Sequence, residues 1–165
     1  MSVFLERLRK YKEKDDRGMM ANLRCILVDN KKHRAWPALN RLGVAIDDDV
    51  SAFVAGLFAT HPEETFDGNF GDTCRIIEQR RGDNRSDDSK LTQTERRFQH
   101  LLAAERGEEL YKRVMRMILM AKSQGVPVNF ERLKTDLKFW SDRTKTEWAV
   151  SFWTQGSQPA PEEGV

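Results

Sequence analysis

Apolar residues recur at helical spacing along almost the whole chain. Phe4, Leu8 and Tyr11 fall at i, i+4, i+7 with Leu5 beside them, while Arg7, Arg9, Lys10, Lys12 and Lys14 mostly face elsewhere, which predicts a first helix. Asp15 and Asp16 can cap a second helix carrying Met19, Met20, Leu23 and Leu27, with Arg24 among them. Pro37, at a first-turn position after Trp36, opens a short third helix through Leu42. Asp47 to Asp49 precede the most apolar segment, Val50 to Ala59, which His61-Pro62 ends.

From Glu63 to Asp72 the pattern is that of a loop, with Asp67-Gly68 and Gly71 as turn signals around Phe66 and Phe70, and a short helix over Thr73 to Gln79 follows. Arg80 to Lys90 is nearly free of apolar residues and is expected to be a mobile connector. Thr92 and Glu95 have capping-box spacing ahead of Phe98, Leu101 and Leu102. A long helix is expected from Glu108 to Gln124, with Leu110, Val114, Met117, Ile118 and Ala121 inward and Gly125 as its C-terminal glycine. Asn129 caps the next helix, which carries Phe130, Leu133, Leu137 and Trp140 inward, and a last one bears Trp148, Phe152 and Trp153.

The fold class is therefore all-α: a bundle of about seven to nine helices over residues 1–153, with lobes at 1–79 and 91–153 joined by connector 80–90. Residues 154–165 lack core side chains and are expected to be a disordered tail. A chain of 165 residues is long enough to bury a core of this kind. No apolar run reaches spanning length, and the charged N-terminus does not read as a signal peptide, so no membrane association and a cytoplasmic location are expected. Cys25 and Cys74 have no CxxC or paired histidine spacing and read as small buried side chains rather than ligands or disulfide partners.

Charge changes the picture more than composition does. The net charge is only +2, yet Met1 to Arg41 carries 11 basic and 5 acidic residues, Leu42 to Cys74 none and 7, and the remainder 17 and 14. Two basic segments thus flank an acidic one, and parts of the surface can attract a polyanion although the whole would not.

Catalytic patterns are lacking: there is no phosphate-loop glycine pattern, HExxH or GxSxG, and His33, His61 and His100 are scattered in surface or loop contexts. Asp47 to Asp49 lack the spacing of a calcium loop and suit a helix N-terminus. No enzyme activity, cofactor or metal is expected. On the long helix Lys112, Arg113 and Arg116 share an arc opposite the apolar stripe. Glu108 and Glu109 can pair with Lys112 and Arg113 at i, i+4, but Arg116 has no acid at i±3 or i±4. Lys134 with Lys138, and Arg96 with Arg97, offer further cations, and the four tryptophans read as core before they read as stacking platforms for bases.

Six stretches occur in a recognisable order: DRGMMANLRC (16–25), AWPALNRL (35–42), NFGDTCR (69–75), TERRFQHLLAAE (94–105), the long run from Glu109 to Trp140 containing GVPVNF, and EWAVSFW (147–153). Together they resemble the CasB family, the small subunit of the type I-E CRISPR surveillance complex Cascade. The resemblance implies an all-helical, non-catalytic subunit of antiviral defence, present as a pair beside the large and backbone subunits. Its basic surface would help to hold guide RNA, target DNA and the displaced strand, and so stabilise the R-loop. It carries nucleic-acid-binding roles onto Arg24, Arg97, Arg113, Arg116, Arg132, Arg143 and Lys145, with Arg24, Arg97 and Arg116 foremost. Cys25 stands where a second arginine can occur in the family, and Glu147, Val150 and Ser151 interrupt a last helix that is commonly richer in arginine. The alternatives are a helical protein-interaction adaptor without nucleic-acid contact and a helix-turn-helix regulator, for which no short-turn helix pair with an exposed second helix stands out.

Overall fold

A computed structural model describes residues 1–82 and 90–154. Residues 83–89 of the expected connector, and the tail from residue 155, lie outside the described residues. The helices are α1 (Val3–Glu13), α2 (Arg17–Arg24), α3 (Trp36–Leu42), α4 (Asp49–Thr60), α5 (Phe70–Arg81), α6 (Gln93–Leu102), α7 (Glu108–Gln124), α8 (Phe130–Lys138) and α9 (Asp142–Ala149). α9 continues into a π-helical turn, Val150–Thr154. Among the described residues there is no strand, and Glu64 and Val128 form an isolated parallel bridge. No helix of the described residues is long and apolar enough to cross a membrane.

Caps explain most of the boundaries. Asp16 accepts from the Met19 amide, Asp48 from Ser51 and Asn129 from Arg132, so each satisfies a first-turn donor that has no partner within its own helix. The acidic triplet is thereby accounted for as a helix start. Thr92 and Glu95 close the expected capping box on α6. α7 has the expected bounds and ends on Gly125 at φ 68°, a left-handed value that disfavours residues bearing a Cβ.

α4 is the axis of the core. It is buried from Ala52 to Thr60 and packs against α2, α7 and α8, with Phe58 tilted on Phe130 of α8 at 5.3 Å and Phe53 stacked on Tyr111 of α7 at 4.3 Å. The buried cluster to which it belongs draws on both halves of the chain, including Leu5, Leu23, Phe70, Val114 and Trp148.

Three local features depart from the sequence pattern. Residues 25–35 form two 3-10 segments, Cys25–Leu27 and Asp29–Ala35, so Leu27 lies beyond the end of α2. The fifth helix starts at Phe70 rather than Thr73 and runs to Arg81, because Asn69 and Asp72 form a second capping box. Gly71, which reads as a turn residue, lies in its first turn. His61 is buried, not at the surface: its Nε2 is 2.6 Å from the Val126 carbonyl, so that nitrogen must carry the hydrogen.

One ionic cluster ties the N-terminus down. Arg9 on α1 donates to Glu64 at 2.6 and 3.0 Å and to Glu131 of α8 at 2.9 Å, while Glu131 also accepts from the Ser2 amide at 3.0 Å. Burial alone would raise the Glu131 carboxyl, but the Ser2 amide and Arg9 outweigh it and leave its pKa below the ordinary 4.5. A carboxylate lowered in the folded state contributes stability above its unfolded pKa and loses it as pH falls through the folded one. Urea unfolding across acid pH is therefore expected to show wild type above Glu131→Gln at neutral pH, with the gap closing below pH 4.5. A gap independent of pH would show that Glu131 acts by packing alone.

Candidate nucleic-acid interface

Arginines at helix ends account for part of the basic surplus. A helix leaves its last carbonyls without partners and carries partial negative charge there, so a neighbouring guanidinium is well placed to bind them. Arg24 donates to the Ala59 carbonyl near the end of α4, at 3.1 Å. Arg80 reaches Gln124 and Gly125 at the end of α7, and Arg106 reaches Lys138 and Trp140 at the end of α8. Arg113 does the same for α6, donating to the His100 carbonyl at 2.6 Å. Charge counting alone does not separate these cations from freely exposed ones.

A second set of cations lines the seam between α6 and α7. These helices are antiparallel there, since Arg113 meets His100 while Arg97 places its Nη1 3.3 Å from Met120 Sδ. Arg116, one turn from both Arg113 and Met120 on α7, therefore sits between those two levels. It is exposed and has no polar or ionic partner among the described residues. Arg113 is held by Glu109 at 2.7 Å as well as by His100, and its side chain is only 18% exposed. The Glu105 amide, and then Arg113, hold the Glu109 carboxyl below its usual range against the opposing effect of burial. A Glu108–Lys112 pair does not form among the described residues, so Lys112 is free beside Arg116.

A second group lies on α8 and α9. Arg132 binds Asp136 at 3.2 Å and Glu147 at 3.3 Å, and Arg143 binds the other oxygen of Glu147 at 3.3 Å. Two cations and two anions make this network neutral in sum. Lys145 lies over the Trp140 ring at 5.7 Å. The seven residues thus fall in three places: the α6–α7 seam, the α8–α9 network, and Arg24 at the end of α2. Of the tryptophans expected in the core, Trp148 and Trp140 are buried, while Trp36 and Trp153 reach the surface; of the cysteines expected to be buried, Cys74 is, while Cys25, at the end of α2, is partly exposed. Among the described residues no His, Cys, Asp or Glu cluster is arranged to hold a metal ion.

The sequence model for CRISPR-associated protein Cse2 matches residues 19–153. The chain belongs to the Cse2 family. Cse2, also called CasB, is a structural subunit of the type I-E CRISPR Cascade complex, so other Cascade subunits are partners of this family. Three solved structures share its architecture. A CRISPR-associated protein of the Cse2 family from Thermus thermophilus superposes with a TM-score of 0.71 at 21% identity, over 92% of this chain and 96% of that one. CasB from M. ruber gives 0.67 at 20% identity, covering 94% of each chain. A structure of CasB from Thermus thermophilus gives 0.66 at 20%, over 92% and 94%. At such identities the likeness to Cse2 structures establishes the all-helical fold alone. No curated protein sequence matches this Cse2 chain closely enough to count as a relative.

Proposed function

We propose that this Cse2 chain is a cytoplasmic, non-catalytic Cascade subunit of antiviral defence that acts as a pair and stabilises the R-loop through nucleic-acid backbones. Arg116 carries this reading: an exposed arginine without a local counter-ion, on a rigid helix, beside Arg97 and Lys112. Guide RNA pairing with target DNA supplies sequence recognition, so a protein subunit needs only sequence-independent attraction to phosphates. Exchange of duplex DNA for the hybrid is nearly balanced in free energy, so a few contacts to the displaced strand are enough to tip it. Arg24, Arg143 and Lys145 extend the surface, while Arg113 and Arg132 support it from within their ion pairs.

The test is Arg97→Ala with Arg116→Ala in reconstituted Cascade. Removing even one charge-assisted hydrogen bond to a phosphate costs about 1.5 kcal/mol, so target affinity should fall about tenfold or more. The log–log salt slope should become shallower by about 0.7 to 0.9 for each phosphate no longer neutralised. Unchanged affinity and slope would favour an adaptor that touches protein alone.

A further inference from the structure

A separate cleft of about 240 Å³ opens between α1 and α3, lined by Arg7, Lys10, Tyr11, Lys14 and Arg41. Four of its five lining side chains are cationic and none is acidic. Arg7 and Lys10 on α1 and Lys14, its C-cap in helical backbone conformation, stand at i, i+3, i+7 and so share one face, and Arg41 comes from the last turn of α3. None of the four cationic side chains has an ion pair or hydrogen bond among the described residues, although Glu6 lies at i, i+4 from Lys10. Lys12, by contrast, donates to the Pro62 carbonyl at 2.5 Å. Gly43, left-handed at φ 78°, leaves room for Arg7: a Cβ there would stand 2.8 Å from its Nη1.

Four like charges around one concavity repel one another, and an anion held among them relieves that repulsion. Arginine forks and lysine ammonium groups are the usual partners of phosphate oxygens. Tyr11, half-buried in the middle of the set, adds an aromatic ring on which a base can stack. We infer that the α1–α3 cleft is a second binding site, taking one nucleotide unit of a single-stranded nucleic acid, with its phosphates on Arg7, Lys10, Lys14 and Arg41 and its base against Tyr11. It shares no residue with the α6–α7 seam, and all of its residues but Arg41 precede the family match, which begins at residue 19, so it stands or falls independently of the R-loop reading.

Two variants of the full chain separate the sites: Lys10→Glu with Lys14→Glu, and Arg97→Ala with Arg116→Ala. Binding of a fluorescent oligothymidylate at low salt is expected to weaken about tenfold in the first variant, with a salt slope reduced by about 0.7 for each phosphate that the cleft ceases to neutralise. The Arg97/Arg116 variant should retain that contribution. Iodouracil-substituted oligonucleotide should photo-crosslink to Tyr11, located by mass spectrometry of the digested protein. Thermal unfolding of both variants should stay near wild type, because Lys10, Lys14 and Arg116 have no side-chain polar partner among the described residues and Arg97 has the weak acceptor Met120 Sδ. The inference is overturned by unchanged affinity in the Lys10/Lys14 variant, by crosslinks confined to other elements, or by no binding of oligothymidylate to the wild-type chain. It is also overturned if millimolar pyrophosphate shifts the α1 resonances while oligothymidylate does not, which would make the cleft a free-phosphate site.

Discussion

Gly71→Ala is expected to destabilise the protein by about 3 kcal/mol, read as a fall of about 9 °C in Tm. The first turn of α5 lies directly on the end of α9. A Cβ on Gly71 would overlap the Trp148 carbonyl oxygen and stand 2.8 Å from its carbonyl carbon and 2.9 Å from its Cα. All three are backbone atoms, so no side-chain rotation relieves the overlap and the two helices must separate. Gly56 offers the contrast. A Cβ there would meet Ile26 and Leu27 side chains, which are half-buried and can move, so Gly56→Ala should cost less. At Gly18 the nearest atom is Asp16 Oδ1 at 3.7 Å, and alanine in that helix should gain up to about 0.5 kcal/mol. Thermal denaturation should rank the three in this order, and a Gly71→Ala protein as stable as wild type would show that α5 and α9 do not approach so closely.

The destabilisation would reach the proposed nucleic-acid surface as well. α9 runs into the π-helical turn, where Phe152 stacks on Phe98 of α6 at 4.4 Å and Trp153 donates to Glu95 at 3.2 Å. Arg97 sits between these two α6 residues. Displacing α9 therefore displaces the helix that presents Arg97 beside Arg116, and the Gly71 variant should lose part of its target binding even where it remains folded.

Gly71 also shows where the sequence ceases to be legible. Asp67-Gly68 and Gly71 are all turn-like residues, but only the close approach of Trp148, 77 positions later, reveals that the second glycine serves packing. Local chemistry is readable wherever it is strong: the Thr92–Glu95 box, the Asp48 and Asn129 caps, and α7 with its terminal glycine all follow from spacing. The Asn69–Asp72 box has equal spacing and is obscured by the glycines around it. Long-range polar pairing leaves no such trace. Arg9, Glu64 and Glu131 are scattered along the chain, and His61 finds its carbonyl across 65 positions. Among the site residues, the absence of an acid near Arg116 on α7 is visible in the sequence. The attachment of Arg113 to the end of α6 is not, because it depends on how two helices dock.

The second large effect is expected at Trp148, where Trp148→Phe should cost about 3 kcal/mol in urea unfolding. The indole is fully buried, edge-on to Trp140 at 5.0 Å and tilted on Phe70 at 5.3 Å. Its Nε1 donates to Asp136 Oδ2 at 2.7 Å, and Asp136 is itself buried, with its other oxygen bound by Arg132 at 3.2 Å. Phenylalanine removes the donor and leaves a cavity, so the carboxylate keeps only Arg132 as a partner. Asp136→Ala strands the indole N–H instead, at a cost of about 1 to 3 kcal/mol. Once one partner is gone, removing the other breaks no further bond, so the double variant should fall short of the sum by about 1 kcal/mol or more. Strict additivity would show that the bond contributes nothing and that Trp148 acts by volume alone. Asp136→Asn divides the roles of the carboxylate, because it keeps an acceptor for Trp148 while withdrawing the charge that holds Arg132. It should be the mildest of these changes in stability, and it leaves Arg132 tethered through Glu147 alone, more available to a phosphate on the α8–α9 surface.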